Sequence, residues 1–204
     1  SFAMAAALSL WLNSGRYVDQ EIRRAGYGDL TIWVSDVPKA MDGAGGEDLL
    51  AEEIRNLPEV ETVTVQELVF SDYEIHGQES DSEGQLILFQ PDEERYRFFD
   101  QDLKGYLEHT PEIGTGEVYV PPSLVSMFGA SEGDVVTFPI ARGGKTREFV
   151  IKGFYEDPFM GSSMVGMKGF LVCEEDLDEI REAVGEAEID ALARDGAMVH
   201  VTAK

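Results

Sequence analysis

The sequence has almost no thiol, little histidine and few positive charges. It holds one cysteine, Cys173, and three histidines in 204 residues. A lone cysteine excludes an internal disulfide, a disulfide-stapled scaffold and a thiolate zinc cage. Within "GFLVCEEDL" it reads as a buried strand thiol. Lys and Arg number 16 against 40 Asp and Glu, a formal charge of −24. Such a field repels phosphate backbones and anionic headgroups, so nucleic acid is excluded as a partner. No apolar run reaches the roughly 20 residues that a membrane-spanning helix needs.

Apolar residues are plentiful enough for a core, at 43% of the chain, which suits one large domain or two small ones. The opening "FAMAAALSLWL" is notably apolar and lacks the basic region and cleavage site of a signal peptide. It continues as a helical stripe of Leu8, Trp11, Leu12, Val18 and Ile22, stopped by the glycines of "RRAGYGD". Two readings stand: a terminal helix packed on the core, or the outer end of a helix whose remainder lies in a membrane, with Ser1–Met4 a cloning remnant.

Two strand, helix, strand units frame the chain. The first comprises the strand "DLTIWVS", the helix "GEDLLAEEIRNLP" with Leu49, Leu50, Ile54 and Leu57 on one face, and the strand "EVETVTVQELVF". Pro58 ends the helix. The last unit comprises "KGFLVCE", the helix "EDLDEIREAVGEAEIDALA" with Leu177, Ile180, Val184, Ala187 and Leu192 inward, and "AMVHVTA". Acidic residues at the front of that helix suit its positive dipole end. From about 72 to 165 short strands dominate, with one short helix near "PSLVSMFG". In "GDVVTFPIARGGKTREFVIKGFYEDP", Val136, Phe138 and Ile140 alternate with Thr137 and Pro139. Gly143-Gly144 form a tight turn, and Phe149 and Ile151 return the pattern. Gly153 breaks it, which predicts a bulge or a close backbone approach. The expected class is α+β, with a small β-rich, barrel-like module inserted between the two halves of a mixed α/β subdomain.

No catalytic set assembles in the sequence. His76, His109 and His200 lie in separate segments without metal-ligand spacing, and His200, in an alternating strand, is expected at the surface or rim. "GSSMVGM" carries Ser162 and Ser163 without the strained G-x-S-x-G elbow. "QESDSEG" lacks the full calcium-loop pattern, and "GAGGED" lacks the lysine of a phosphate loop. Glu174 and Glu175 are adjacent in a chain where carboxylates are everywhere, so adjacency nominates no acid and base. Catalytic, metal and cofactor sites are all expected to be none. One loop is unusually apolar: "DPFMGSSMVGMKGF" places Phe159, Met160, Met164, Val165 and Met167 among glycines. Adaptable methionines there suit contact with a hydrophobic substrate, a second copy or an accessory protein; the alternative is that the loop tucks into the junction between subdomains.

The phrases "GEVYVPPSLVSMFGASEGDVVTFPI", "REFVIKGFYED" and "GFLVCEEDLDEI", in that order, resemble the extracytoplasmic domain of macrolide-exporter-type and FtsX-like permeases of ABC transporters. The phrase "RRAGYGDLTIWVS" is similar to the passage from stalk to domain in that family. The resemblance runs from Gly26 to Lys204 and rests on the order of elements more than on any single motif. It implies a stalk at 1–25, an α/β subdomain from 26–71 and 166–204, and an inserted β-rich subdomain at 72–165. It also implies membrane helices of the same permease, a cytoplasmic ATPase subunit or domain, and an accessory protein or a hydrophobic or peptide substrate as partners. The function implied is transmission of ATP-driven movement outside the membrane, on its extracellular or periplasmic side, without catalysis. The alternatives are a soluble small-barrel recognition module and a metal-dependent hydrolase.

Overall fold

The computed structural model describes residues 17, 20–35, 46–91, 95–157 and 167–204, at 46–48 by the backbone alone. It is a mixed α/β structure, as the sequence predicts. The helix α1, described over residues 20–24, leads into the strand β1 (Leu30–Ser35), the helix α2 (Gly46–Arg55) and the long strand β2 (Val60–Ser71). Short strands follow: β3 (Glu74–Ile75), β4 (Gln78–Glu79), β5 (Gly84–Leu88), β6 (Arg97–Phe98) and β7 (Glu117–Val120). The helix α3 (Ser123–Phe128) precedes the hairpin of β8 (Val135–Ala141) and β9 (Lys145–Glu156). The chain closes with β10 (Lys168–Val172), α4 (Glu174–Ala187) and β11 (Arg194–Ala203).

The strands join edge to edge in the order β1-β11-β2-β5-β10-β7-β9-β8-β3-β4, with β6 paired to β9. β11 fits between β1 and β2, antiparallel to both, so the first and last units share strands. β10 lies between β5, parallel to it, and β7, antiparallel to it. Side chains of the central strands alternate between two buried layers, as a period of two dictates. Val69, Leu86, Val118, Phe170 and Val172 face one layer, which α4 closes with Leu177 and Ile180. Leu68, Phe70, Ile87, Tyr119 and Leu171 face the other, closed by Phe89, Tyr96 and Phe98. Burial on both faces explains why "GQLIL" and "GFLV" read as nearly continuous apolar runs.

The β8–β9 hairpin forms as its pattern predicts: Val136, Phe138, Ile140, Phe149 and Ile151 are buried, and Gly143 and Gly144 turn at φ of +82° and +84°. The interruption at Gly153 is a bulge. β9 pairs Ile151 with Val118 and Gly153 with Tyr119, so Lys152 is the extra residue. A Cβ at Gly153 would stand 2.8 Å from Tyr119 Cε1; the bulge brings the strand backbone against that ring.

Four expectations need correction. Leu49 and Leu57 are exposed, and of the expected face Ile54 packs, with Ala51, on Val63, Val199 and Val201; Leu57 lies beyond the helix, which stops at Arg55. The last helix ends at Ala187, and a short 3-10 turn, Glu188–Asp190, follows it. Leu192 therefore lies beyond the helix, half-exposed, with its backbone N–H donated to Ile140 O. Cys173 is half-buried at the N-cap of α4 rather than within β10. His200 is buried, only 2% exposed, for the reason given below.

Candidate functional site

The densest group of buried polar side chains lies where α1 meets the sheet. Gly28, at φ +67°, lets the chain turn from α1 into β1 directly over β11; a Cβ there would stand 2.4 Å from Val201 O. Only glycine fits both the left-handed backbone and the close approach. Asp29 N–H donates to Val201 O at 2.8 Å, and Ala203 N–H donates to the Asp29 carboxylate at 2.8 Å. The exit of α1 and the end of β11 are thereby bonded side by side.

Tyr27 points inward from this turn. Its hydroxyl lies 2.8 Å from both carboxylate oxygens of Asp157, just past the end of β9. Burial first, and then the Asp157 charge, push the phenol well above its ordinary range, so it is a neutral donor to an acceptor. Its ring meets His200 edge-on at 5.3 Å.

The protons around His200 can be assigned from its partners. Thr31 Oγ1 donates to Tyr27 O at 3.0 Å and so accepts from His200 Nδ1–H at 2.9 Å. His200 Nε2 lies 3.2 Å from Gln66 Oε1, but Arg95 Nη1, which can only donate, lies 3.1 Å from Nε2 and 2.7 Å from Gln66 Oε1, so it bridges the two as acceptors. Gln66 Nε2 donates to the Tyr96 hydroxyl. The ring is therefore neutral and carries its proton on Nδ1. Burial, with Arg95 beside it, lowers its pKa to about 4. The alternation of "MVHVTA" predicts a surface or rim position for His200, but both faces of β11 are covered here and the ring is buried.

Outside this hydrogen-bonded group lies a ring of charges. Glu21 pairs with Arg24 at 2.9 Å and with Arg97 at 3.3 Å. Glu156 pairs with Arg97 at 3.3 Å and with Arg24 at 3.7 Å. Arg24 also donates to Arg95 O at 2.9 Å, and the Tyr106 hydroxyl donates to Glu156 at 2.9 Å. Burial works to raise the Glu21 carboxyl, but the Arg24 hydrogen bond and the Arg24 and Arg97 charges outweigh it and hold the group below its ordinary value. Two acids and two bases thus fasten α1 to the β6–β9 corner. A groove of about 270 Å³ runs beside the junction, lined by Ile22, Tyr27, Leu30, Thr31 and Trp33 among others.

Of the apolar loop, Phe159, Met160, Met164 and Val165 lie outside the described residues, as do Ser162 and Ser163. Met167 is half-buried against Ala25 and Tyr27, and its sulfur accepts from Gln85 Nε2 at 3.2 Å. Asp157 bonds Tyr27 directly, and Met167 packs against the cluster of Ala25 and Tyr27. Sequence periodicity pointed to none of Tyr27, Arg95 and Asp157, since each is a single residue in an irregular segment. Among the described residues, no group of three or more His, Cys, Asp or Glu could hold a metal ion. No described helix is long and apolar enough to cross a membrane.

The chain matches no protein-family model and no curated protein. Solved structures similar to it include the periplasmic region of MacB from Actinobacillus actinomycetemcomitans. That match has 12% identity and a TM-score of 0.41, over 91% of this chain and 80% of that one. The extracellular domain of the noncanonic ABC-type transporter YknZ from Gram-positive bacteria aligns at 11% identity and a TM-score of 0.37, over 76% and 71% of the two chains. A domain of a permease protein from Porphyromonas gingivalis aligns at 17% identity and a TM-score of 0.36, over 74% and 66%.

Proposed function

We propose that this chain is an extracytoplasmic domain of an ABC transporter permease, which passes movement from membrane helices to a substrate or partner outside the membrane and performs no chemistry of its own. The observation that carries the reading is the fastening of α1 to the body. The Tyr27–Asp157 bond and the four-charge ring tie α1 to the end of β9, so a tilt of the helix is transmitted to the sheet. A domain inserted between two neighbouring membrane helices needs its entry and exit close together. The bonding of Asp29 to Val201 and Ala203 meets that need.

ATP would be hydrolysed by a separate cytoplasmic subunit or domain, coupled through the helices of the same permease. Within this reading the parts 26–71 with 166–204 and 72–165 act as two subdomains. The loop of Phe159, Met160, Met164, Val165 and Met167 would contact a hydrophobic or peptide substrate or an accessory protein. Reading the gene on either side of these residues tests the proposal. Apolar runs of about 20 residues adjoining both ends are expected; natural termini there overturn it.

A further inference from the structure

At the far end of the sheet, β3 and β4 are joined by a two-residue turn, His76-Gly77, with φ of +54° and +75°. Positive φ at both positions is the type I′ turn, which favours Asn, Asp or Gly at its first position. A histidine in left-handed backbone is an outlier that asks for a compensating interaction. The ring supplies two. Its Nδ1 lies 3.2 Å from Phe128 O at the end of α3, and its Nε2 lies 2.9 Å from a carboxylate oxygen of Asp134.

Both partners are acceptors. Only the doubly protonated imidazolium has an N–H for each; a neutral ring turns a lone pair toward either the carbonyl or the carboxylate. Asp134 is held in place to receive it. The same carboxylate oxygen accepts Ser131 N–H at 2.8 Å, Asp134 N–H donates to Ser131 O at 3.1 Å, and Asp134 O accepts Ile151 N–H at 2.8 Å. Tyr73 and Ile75 anchor the base of the hairpin in the core, but beyond them β3 pairs with β8 through only Glu74–Thr137 and Ile75–Val136, and β4 is the last strand of the path, so the tether acts on the outer part.

We propose that His76 is a proton-operated clasp: protonated, it pins the β3–β4 hairpin to the end of α3 and to the turn at 131–134, and neutral, it lets the hairpin loosen. Titratable groups on the surrounding elements are Glu74 and Glu79 on the hairpin strands, Asp72 before it, and Glu132 and Asp134 in the turn; α3 has none. Of these, Asp134 alone acts on the ring. Its hydrogen bond first, then the Phe128 carbonyl and the Asp134 charge, raise the His76 pKa above its ordinary value, against a smaller opposing effect of burial. A raised folded-state pKa makes the tether complete below the ordinary histidine value of about 6.5 and removes it as pH rises through the folded-state value.

The test uses the 204-residue protein and His76→Asn, which suits the turn and carries no titrating proton. Imidazole resonances followed by NMR should show His76 titrating above about 6.5, and Asp134→Asn should bring it down. The Ser80 amide, donated to Tyr73 O across the hairpin, reports the clasp by hydrogen exchange. Relative to His76→Asn at the same pH, its exchange should be slowed several-fold under acidic conditions, and the advantage should vanish under alkaline ones. A His76 titration at or below the ordinary value, or a Ser80 ratio that stays flat across the titration, overturns the proposal.

Discussion

The Tyr27 hydroxyl stands 2.8 Å from each carboxylate oxygen of Asp157, bonding the residue that leaves α1 to the one that follows β9. Both groups are buried, at 7% exposure each, so the bond is shielded from competing water. Removing the hydroxyl leaves a buried carboxylate short of a donor. Tyr27→Phe should lower stability by about 1–3 kcal/mol in urea unfolding. If the coupling is direct, Asp157→Asn should lose much of its effect in the Tyr27→Phe background; strictly additive losses would deny it.

His200 predicts an acid weakness. Its pKa in the folded protein is about 4, below the roughly 6.5 of an unfolded chain, so the unfolded state binds the extra proton between those values. Its contribution is complete above the unfolded value and is lost as pH falls toward about 4, a change of about 3 kcal/mol across the window. Stability measured against pH should fall more steeply for the wild type than for His200→Gln in that range. Parallel profiles would contradict a buried neutral ring.

Glycine substitutions should separate strain from collision. Gly143 sits at φ +82° with nothing within 4 Å of an added Cβ, so Gly143→Ala pays for backbone strain alone, about 1–2 kcal/mol. Gly28 adds a Cβ 2.4 Å from the backbone oxygen of Val201, which cannot swing aside as a side chain can. Gly28→Ala should cost about 3 kcal/mol or more in thermal or urea unfolding. Equal losses at the two positions would mean that the approach of β11 is not tight.

Asp176 should be the costliest acid to remove from α4. It is fully buried, accepts Gly116 N–H at 2.7 Å, pairs with Arg147 and receives the Cys173 thiol at 3.3 Å. Arg147 keeps about a third of its side chain in solvent, which discounts the loss, so Asp176→Ala should cost about 2–3 kcal/mol. Its neighbour Glu175, exposed and bonded only to Thr115 among the described residues, should change stability by less than about 0.5 kcal/mol. Chemical unfolding of the two variants side by side gives the comparison.

Regular patterns were legible in the sequence because they repeat. Alternation in "VVTFPI" and "REFVI" located the β8–β9 hairpin, the glycine pair its turn, and Gly153 its bulge. The apolar run of β10 signalled a strand without saying what lay on either side. The helical face at 49–57 differs from its pattern because Leu57 lies beyond the end of α2, while Leu49, inside the helix, stays exposed although it fits the period. Polar residues at the junction carried no period at all: Tyr27, Arg95 and Asp157 come from three distant irregular segments.

Composition and periodicity determined the mixed α/β class, the absence of a thiolate metal cage, and the order of the longer strands and helices, because those follow from charge, residue type and local spacing; the two-residue strands β4 and β6 are too short to show a period. Tertiary structure decided what no local rule contains. It placed β11 between β1 and β2 and β10 between β5 and β7, buried His200, gathered Tyr27 with Asp157, and put an imidazole between two acceptors at His76. Each of these depends on which strand pairs with which across long separations. Hydrogen-bond pairing and burial settle that choice together, and neither is visible to a window of adjacent residues.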